Sequence, residues 1–267
     1  MKSEDYAQGD AFQAEKRAIF ASQWLPVCAE AQIPKAGDFL SVTVGGWSVI
    51  VTRDPAGNVN VLRNMCRHQN MPVVGVPGGN CENFRCRFHG WTFDLQGKFL
   101  GAPPPVAPRD PSANHDLIVL PILIEAGIVF FSLDSFAPKP SLGAALPAYS
   151  GTIVTEIAAN WKVVVEHLLE GRPSSDDFAW QPPLLALRRT GSVAIVEQIV
   201  PHTFLRTRLF THVFGGEADG HKPIAEVFKT DCEVLQGGRA AGTMPVDDNA
   251  LLSAFHQEVE KAYAGIS

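Results

Sequence analysis

From Val27 to Phe136 the chain alternates short runs of β-branched and aromatic residues with turn formers. The runs are FLSVTV, WSVIVT, NVNVLR, WTFDL, LIVLPILI and IVFFSL, and the punctuation is PKAGD, VGG, RDPAGN, PGGN and LQGK. That rhythm predicts a small antiparallel β domain, with RDPAGN closing a hairpin between two strands. Before it, residues 11–24 place Phe12, Ala14, Ala18, Ile19 and Trp24 at near-helical spacing among charges, which predicts a short amphipathic helix. Residues 136–151, rich in Pro, Gly, Ala and Ser, read as a linker. NWKVVVEHLLEG (160–171) then reads as a helix stopped by Gly171 and Pro173, followed by two β-type runs, VAIVEQIV and FLRTRLFTHVF. The end, DDNALLSAFHQEVEKAYAG, reads as a capped helix with Leu251, Leu252, Phe255 and Val259 on one face. The chain is therefore β-rich first and α+β second.

Composition narrows the function more than the fold. With 46% hydrophobic residues in 267, the chain has ample material for a core and is not a disordered protein. Twenty-two basic against 28 acidic residues give a net charge of −6, without blocks of like charge, so nucleic acid and anionic membranes are disfavoured as partners. No apolar run of signal-peptide or membrane-spanning length occurs, and a cytoplasmic location is expected. Five cysteines, an odd number, argue against a disulfide framework.

Three of those cysteines fall between residues 66 and 86, with histidines beside two of them. The pattern is Cys66-x-His68, seventeen residues, then Cys86-x-x-His89 with Gly90 and Trp91 behind. Two thiolates and two imidazoles suit a tetrahedral zinc or a [2Fe–2S] cluster of Rieske type, in which the thiolates hold one iron and the imidazoles the other. Zinc fingers keep cysteine with cysteine and histidine with histidine; here each loop offers one of each, which favours the cluster. Cys81, between the loops, reads as a non-ligand thiol.

CRHQN and CRFHGWTFDLQGKF resemble the two cluster loops of the Rieske non-haem iron oxygenases, and FASQWLPVC, IPKAGDFLSV, VIVTRDPAGNVNVLRNMCRH and LIEAGIVFFSLDS are similar to further stretches of their large α subunits. The loops lack the extra cysteine pair of the respiratory Rieske proteins. The resemblance implies an α+β, β-rich fold: an antiparallel β Rieske [2Fe–2S] domain over 22–137, beside a shortened helix-grip-like α+β domain formed by 1–21 and 138–267. Cys66, His68, Cys86 and His89 are the expected cluster ligands.

In the second half the family pattern breaks. NWKVVVEHLLEG resembles the first helix of the family's catalytic domain, and CEVLQGG its late helix. The family binds a mononuclear Fe(II) with two histidines and a carboxylate. The matching positions here are Pro173, Phe178 and Phe228, none of which binds iron; Asp231 is three residues from the carboxylate position and expected to point elsewhere. Between that first helix and the closing β-runs the chain is also several dozen residues shorter than the catalytic members it resembles. Glu170 matches an acidic residue that, in the family, bridges a cluster histidine of one subunit to an iron histidine of the next; its plain reading is a solvated helix-end acid.

The expectation is thus an oxygenase α-like subunit with a [2Fe–2S] cluster and no mononuclear iron of its own, passing electrons from a ferredoxin or flavin reductase to a partner, including an active oxygenase subunit, within a homo- or hetero-trimer or hexamer. One alternative is an intact oxygenase with relocated ligands, His167 and His202 or His212 with Glu170, acting on a small organic substrate. Another is a non-redox assembly or regulatory subunit. Trp47, Trp91 and Trp161 read as core or cluster-packing residues.

Overall fold

The turn at RDPAGN closes as its sequence requires. Asp54 is buried and accepts from the backbone N–H groups of Ala56 and Asn58, and Gly57 sits at a φ of 86°, which favours glycine. The chain is seen in a computed structural model that describes residues 1–134, 136–170, 177–245 and 249–265.

Helices α1 (Ser3–Ala7) and α2 (Gly9–Ala18) lead into strands β1 (Trp24–Ala29), β2 (Asp38–Val44), β3 (Trp47–Arg53), β4 (Val59–Arg63), β5 (Gly78–Asn80), β6 (Phe84–Arg85), β7 (Thr92–Phe93), β8 (Phe99–Gly101), β9 (Val119–Leu120), β10 (Ile122–Glu125) and β11 (Ile128–Ser132). Strands β5-β2-β3-β4-β9 form one antiparallel sheet, and β6-β7-β8 a small second one. A third sheet, β1-β11-β10, pairs the first strand of this region with its last.

The second half opens with β12 (Tyr149–Ile157) and α3 (Trp161–Leu169), then β13 (Phe178–Gln181), β14 (Leu185–Thr190), β15 (Val193–Thr203) and β16 (Arg206–Phe214). It closes with α4 (Lys222–Ala240) and α5 (Ala250–Ala264). The order β12-β16-β15-β14-β13 makes one five-stranded antiparallel sheet, and α3 packs on it between α4 and α5. Helix α1 lies on α4 and α2 on α5, so the N-terminal helices belong with this half in space.

Four expectations change. The N-terminal helix is two helices, and Trp24 stands in β1, not on a helical face. LIVLPILI is two strands, because Pro121 has no N–H to continue a ladder; β9 joins the five-stranded sheet of the first half and β10 the three-stranded one. The segment read as a linker ends inside β12, and Ala137 and Leu142 are buried, with the Trp24 indole N–H donating to the Ala137 carbonyl at 3.0 Å. Strands β12, β13 and β14 had no sequence-level prediction.

Beneath α3 lies a buried polar network that the hydrophobic pattern does not announce. Asn160 caps the helix, its side chain accepting from the Lys162 N–H at 3.0 Å. The Lys162 ammonium, fully buried, pairs with the equally buried Glu15 of α2, which also accepts from the Trp161 indole N–H at 2.6 Å and from the Tyr263 hydroxyl. One turn on, Glu166 accepts from the Tyr6 hydroxyl and from Arg239 Nε at 3.0 Å, with His256 Nε2 at 3.2 Å. Five helices are tied through two carboxylates.

Candidate metal centre and the second-domain residues

The two Cys–His loops have the same backbone construction. In the first, the Cys66 N–H donates to the Met71 carbonyl and the Asn70 N–H to the Cys66 carbonyl, both at 2.8 Å. In the second, the Cys86 N–H donates to the Trp91 carbonyl at 2.8 Å and the Gly90 N–H to the Cys86 carbonyl at 2.9 Å. Each loop turns through a left-handed residue four after its cysteine, Asn70 at φ 58° and Gly90 at φ 71°. Asn is the side chain that best tolerates that region, and at Gly90 a Cβ would also come within 3.0 Å of Pro103 Cγ. The first loop is fastened from below by Asn64, whose amide accepts from the Val73 and Val74 N–H groups and donates to the Val74 carbonyl.

This construction brings the four candidate ligands together in two pairs. Cys66 and Cys86 are buried, with the Cys86 thiol in hydrogen-bond reach of the Cys66 sulfur and the His68 and Gln69 N–H groups aimed at it. Burial pushes the Cys66 thiol up to about 11, against the opposing pull of those N–H groups; a bound cation would deprotonate it. The His68 and His89 rings stand edge to face at 4.7 Å between centroids. His68 Nδ1 is buried with no hydrogen-bond partner, an orphan of the kind a metal satisfies. Trp91 stacks on His68 at 5.1 Å and 8° and anchors itself by donating to the Val106 carbonyl at 2.8 Å. The donor set, two thiols, two imidazoles and an unpartnered ring nitrogen, fits a [2Fe–2S] cluster.

The other candidate residues scatter or regroup. His212 is fully buried on β16; Nδ1 meets the Thr152 hydroxyl at 2.7 Å and Nε2 the Gln198 amide oxygen at 3.0 Å. His202 opens on a cleft with Glu156, Arg206, Arg208, Lys229 and Glu233. The relocated set of His167 and His202 or His212 with Glu170 is therefore not assembled. Asp231 corrects a second expectation: it does face the end of α3, its Oδ2 3.6 Å from His167 Nε2, while Glu170 Oε2 lies 3.4 Å from His167 Nδ1. Phe178 is buried in β13, Phe228 lies tilted on the His167 ring at 4.8 Å, and Pro173 falls outside the described residues. The cavity between α3, α4 and the sheet has a volume of about 70 Å³ and holds a partly buried ion pair, Arg188 Nη2 to Glu197 Oε1 at 2.9 Å. Trp161 is core, and Trp47 carries the Arg63 guanidinium over its ring at 4.4 Å.

Burial alone depresses the His212 pKa from 6.5 to about 3. The folded state keeps this ring neutral while the unfolded chain protonates it, so stability is lost as pH falls through 6.5 toward 3. The slope is about 1.4 kcal/mol per pH unit. Between pH 6.5 and 5, where the unfolded ring goes from half to fully protonated, urea unfolding of the wild type should lose about 1.6 kcal/mol more than that of His212→Gln. Parallel pH profiles for the two proteins would show that this ring is not held neutral.

Comparison with known proteins agrees with the geometry. Residues 23–121 match the Rieske [2Fe-2S] domain family. Over 92 residues the chain is 45% identical to the N,N-dimethyl phenylurea N-demethylase subunit alpha of Sphingobium sp. (strain YBL2), covering 34% of this chain and 20% of that protein. It is 30% identical over 190 residues to the large oxygenase component of salicylate 5-hydroxylase from Ralstonia sp., covering 61% and 45%. The chain spans less than half the length of these curated relatives. A solved quaternary ammonium Rieske monooxygenase superposes with a TM-score of 0.80 at 18% identity, covering 98% of this chain and 94% of that one. The chain thus carries a Rieske iron–sulfur domain. Over part of their length it is similar to the α subunits of Rieske oxygenases, and its α+β second domain shares the fold of the quaternary ammonium Rieske monooxygenase.

Proposed function

We propose that this chain is an oxygenase α-type subunit that works as a one-electron carrier, with a [2Fe–2S] cluster on Cys66, His68, Cys86 and His89 and no mononuclear iron of its own. When bound, the cluster supplies reversible uptake of one electron; the histidines, neutral where thiolates would be charged, make that uptake easier. The residues around it hold the ligands: Asn64 and the paired loop hydrogen bonds fix the thiols, and Trp91 fixes the His68 ring. A cleft of about 540 Å³ beside His89, with Arg85, Arg87 and exposed Phe88 on its walls, presents the cluster edge to a ferredoxin or flavin reductase. Glu170, 60% exposed at the end of α3, offers a carboxylate to a cluster histidine of a neighbouring copy in a trimer or hexamer. Inter-subunit electron transfer is the subject of work on the quaternary ammonium monooxygenase whose fold this chain shares.

The narrowness of the space under α3 and α4 supports the absence of a mononuclear iron there. Ligand pockets usually run to some 300–1,000 Å³, whereas the space under α3 and α4 is about 70 Å³ and is walled by Leu168, Leu209, Ile224 and Phe228. Among the described residues His221 is the one histidine lining that space, which is too small for an aromatic substrate. Anaerobic reconstitution with excess Fe(II) should give two irons and two sulfides per chain, with no substrate-dependent O₂ uptake by the protein alone. A third tightly bound iron in the reconstituted sample would overturn the reading.

A further inference from the structure

Glu170 has an inner partner supplied by the chain itself. His167, one turn earlier on α3, lies with its ring between two carboxylates, Glu170 at 3.4 Å from Nδ1 and Asp231 of α4 at 3.6 Å from Nε2. Both neighbours only accept, so each ring nitrogen faces an acceptor. The Phe228 ring covers the imidazole at 4.8 Å and 34°. The His167 side chain is 23% exposed, whereas Glu170 stands out in solvent. The ring is held on one edge and one face, and the carboxylate beyond it is free to reach outward.

We propose that His167, set by Asp231 and Phe228, is a positioning residue that aims the Glu170 carboxylate at the cluster histidine of a neighbouring copy and draws negative charge off it. The inference rests on the reading of Glu170 as an inter-subunit bridge, and it gives that bridge an inner end built from protein alone. Its electrostatic consequence has a definite sign. A carboxylate beside a cluster ligand disfavours the incoming electron, and an imidazole N–H donated to that carboxylate weakens the effect. His167 therefore raises the midpoint potential, and it does so only through Glu170.

The test is an EPR-monitored redox titration of the assembled full-length protein at one pH. His167→Ala should lower the midpoint potential, Glu170→Gln should raise it, and the double variant should match Glu170→Gln, since the two residues act in series. His167→Gln, which still donates one hydrogen bond, should shift the potential less than His167→Ala and guards against misfolding of the alanine variant. A His167→Ala shift of undiminished size in the Glu170→Gln background, or no shift from either His167 variant while Glu170→Gln moves the potential, overturns the inference and leaves the bridge standing. An unmoved potential in Glu170→Gln removes the bridge itself, and His167's role with it.

Discussion

His89→Cys should lower the cluster's midpoint potential by several hundred millivolts. Histidine-ligated centres lie at roughly −150 to +300 mV and all-cysteine plant-type centres at about −400 mV. The direction follows from charge: a thiolate in place of a neutral imidazole adds a negative charge at the iron that receives the electron. His89 suits the substitution because it is only half buried and its loop is held by backbone bonds at Cys86 and Gly90 that do not involve its ring. The potential is read by titrating the reduced-state EPR signal. A variant that keeps two irons and two sulfides with an unchanged potential would show that His89 is not a ligand.

Lys162→Met should be the most destabilising single change away from the cluster. Removing one partner of a buried ion pair costs about 3–5 kcal/mol, a large part of the roughly 5–15 kcal/mol that holds a domain folded. The loss exceeds one bond because Glu15 stays fully buried without its cation, keeping the Trp161 and Tyr263 donors among the described residues. At about 2–4 °C per kcal/mol for a chain of this size, the melting temperature should fall by roughly 6–20 °C. Glu15→Gln combined with Lys162→Met should recover part of that, since it removes the stranded charge while keeping an acceptor for Trp161. Calorimetry on the three proteins checks the order; a double variant less stable than Lys162→Met would mean that packing, not charge, dominates at this site.

The two halves of the chain differ in how much of them the sequence shows. In the first half, strands β2, β3 and β4 carry clean β-branched runs bounded by PKAGD, VGG and RDPAGN, so local chemistry and fold agree. The four candidate ligands are legible for the same reason: each loop is a local turn whose residues all lie within five of its cysteine. Strand β14 reads LALRRT and β13 FAWQ, runs with little β-branching; β14 is held by its pairing with β15, and β13 in turn by β14, rather than by their own composition. Asp231 was misplaced because counting along α4 fixes its angle about that helix but not the approach of α3, which brings His167 to it. Lys162 and Glu166 sit within a helix whose apolar residues already explain its burial, and nothing local marks Glu15, Tyr6 or Arg239, up to 160 positions away, as their partners.

The pairing of Trp24–Ala29 with Ile128–Ser132 has a consequence for how such chains are assembled over evolutionary time. The polypeptide enters and leaves the metal-bearing half on adjacent hydrogen-bonded strands, so that half is topologically a cassette: cutting it out leaves two ends side by side, and closing the gap costs little loop entropy. What resists transplantation is not connectivity but the burial of that strand pair against the other half: Leu25, Val27, Val129 and Phe131 share an apolar cluster with Ile157, Trp161, Ile199 and Leu209. Trp24, Ala29, Ile128 and Phe130 are buried in a second such cluster with Leu185, Leu187, Val196 and Phe214 of the other half. A transplanted cassette would work only on a host that offers matching seams, so exchange between relatives should preserve both sides of these contacts.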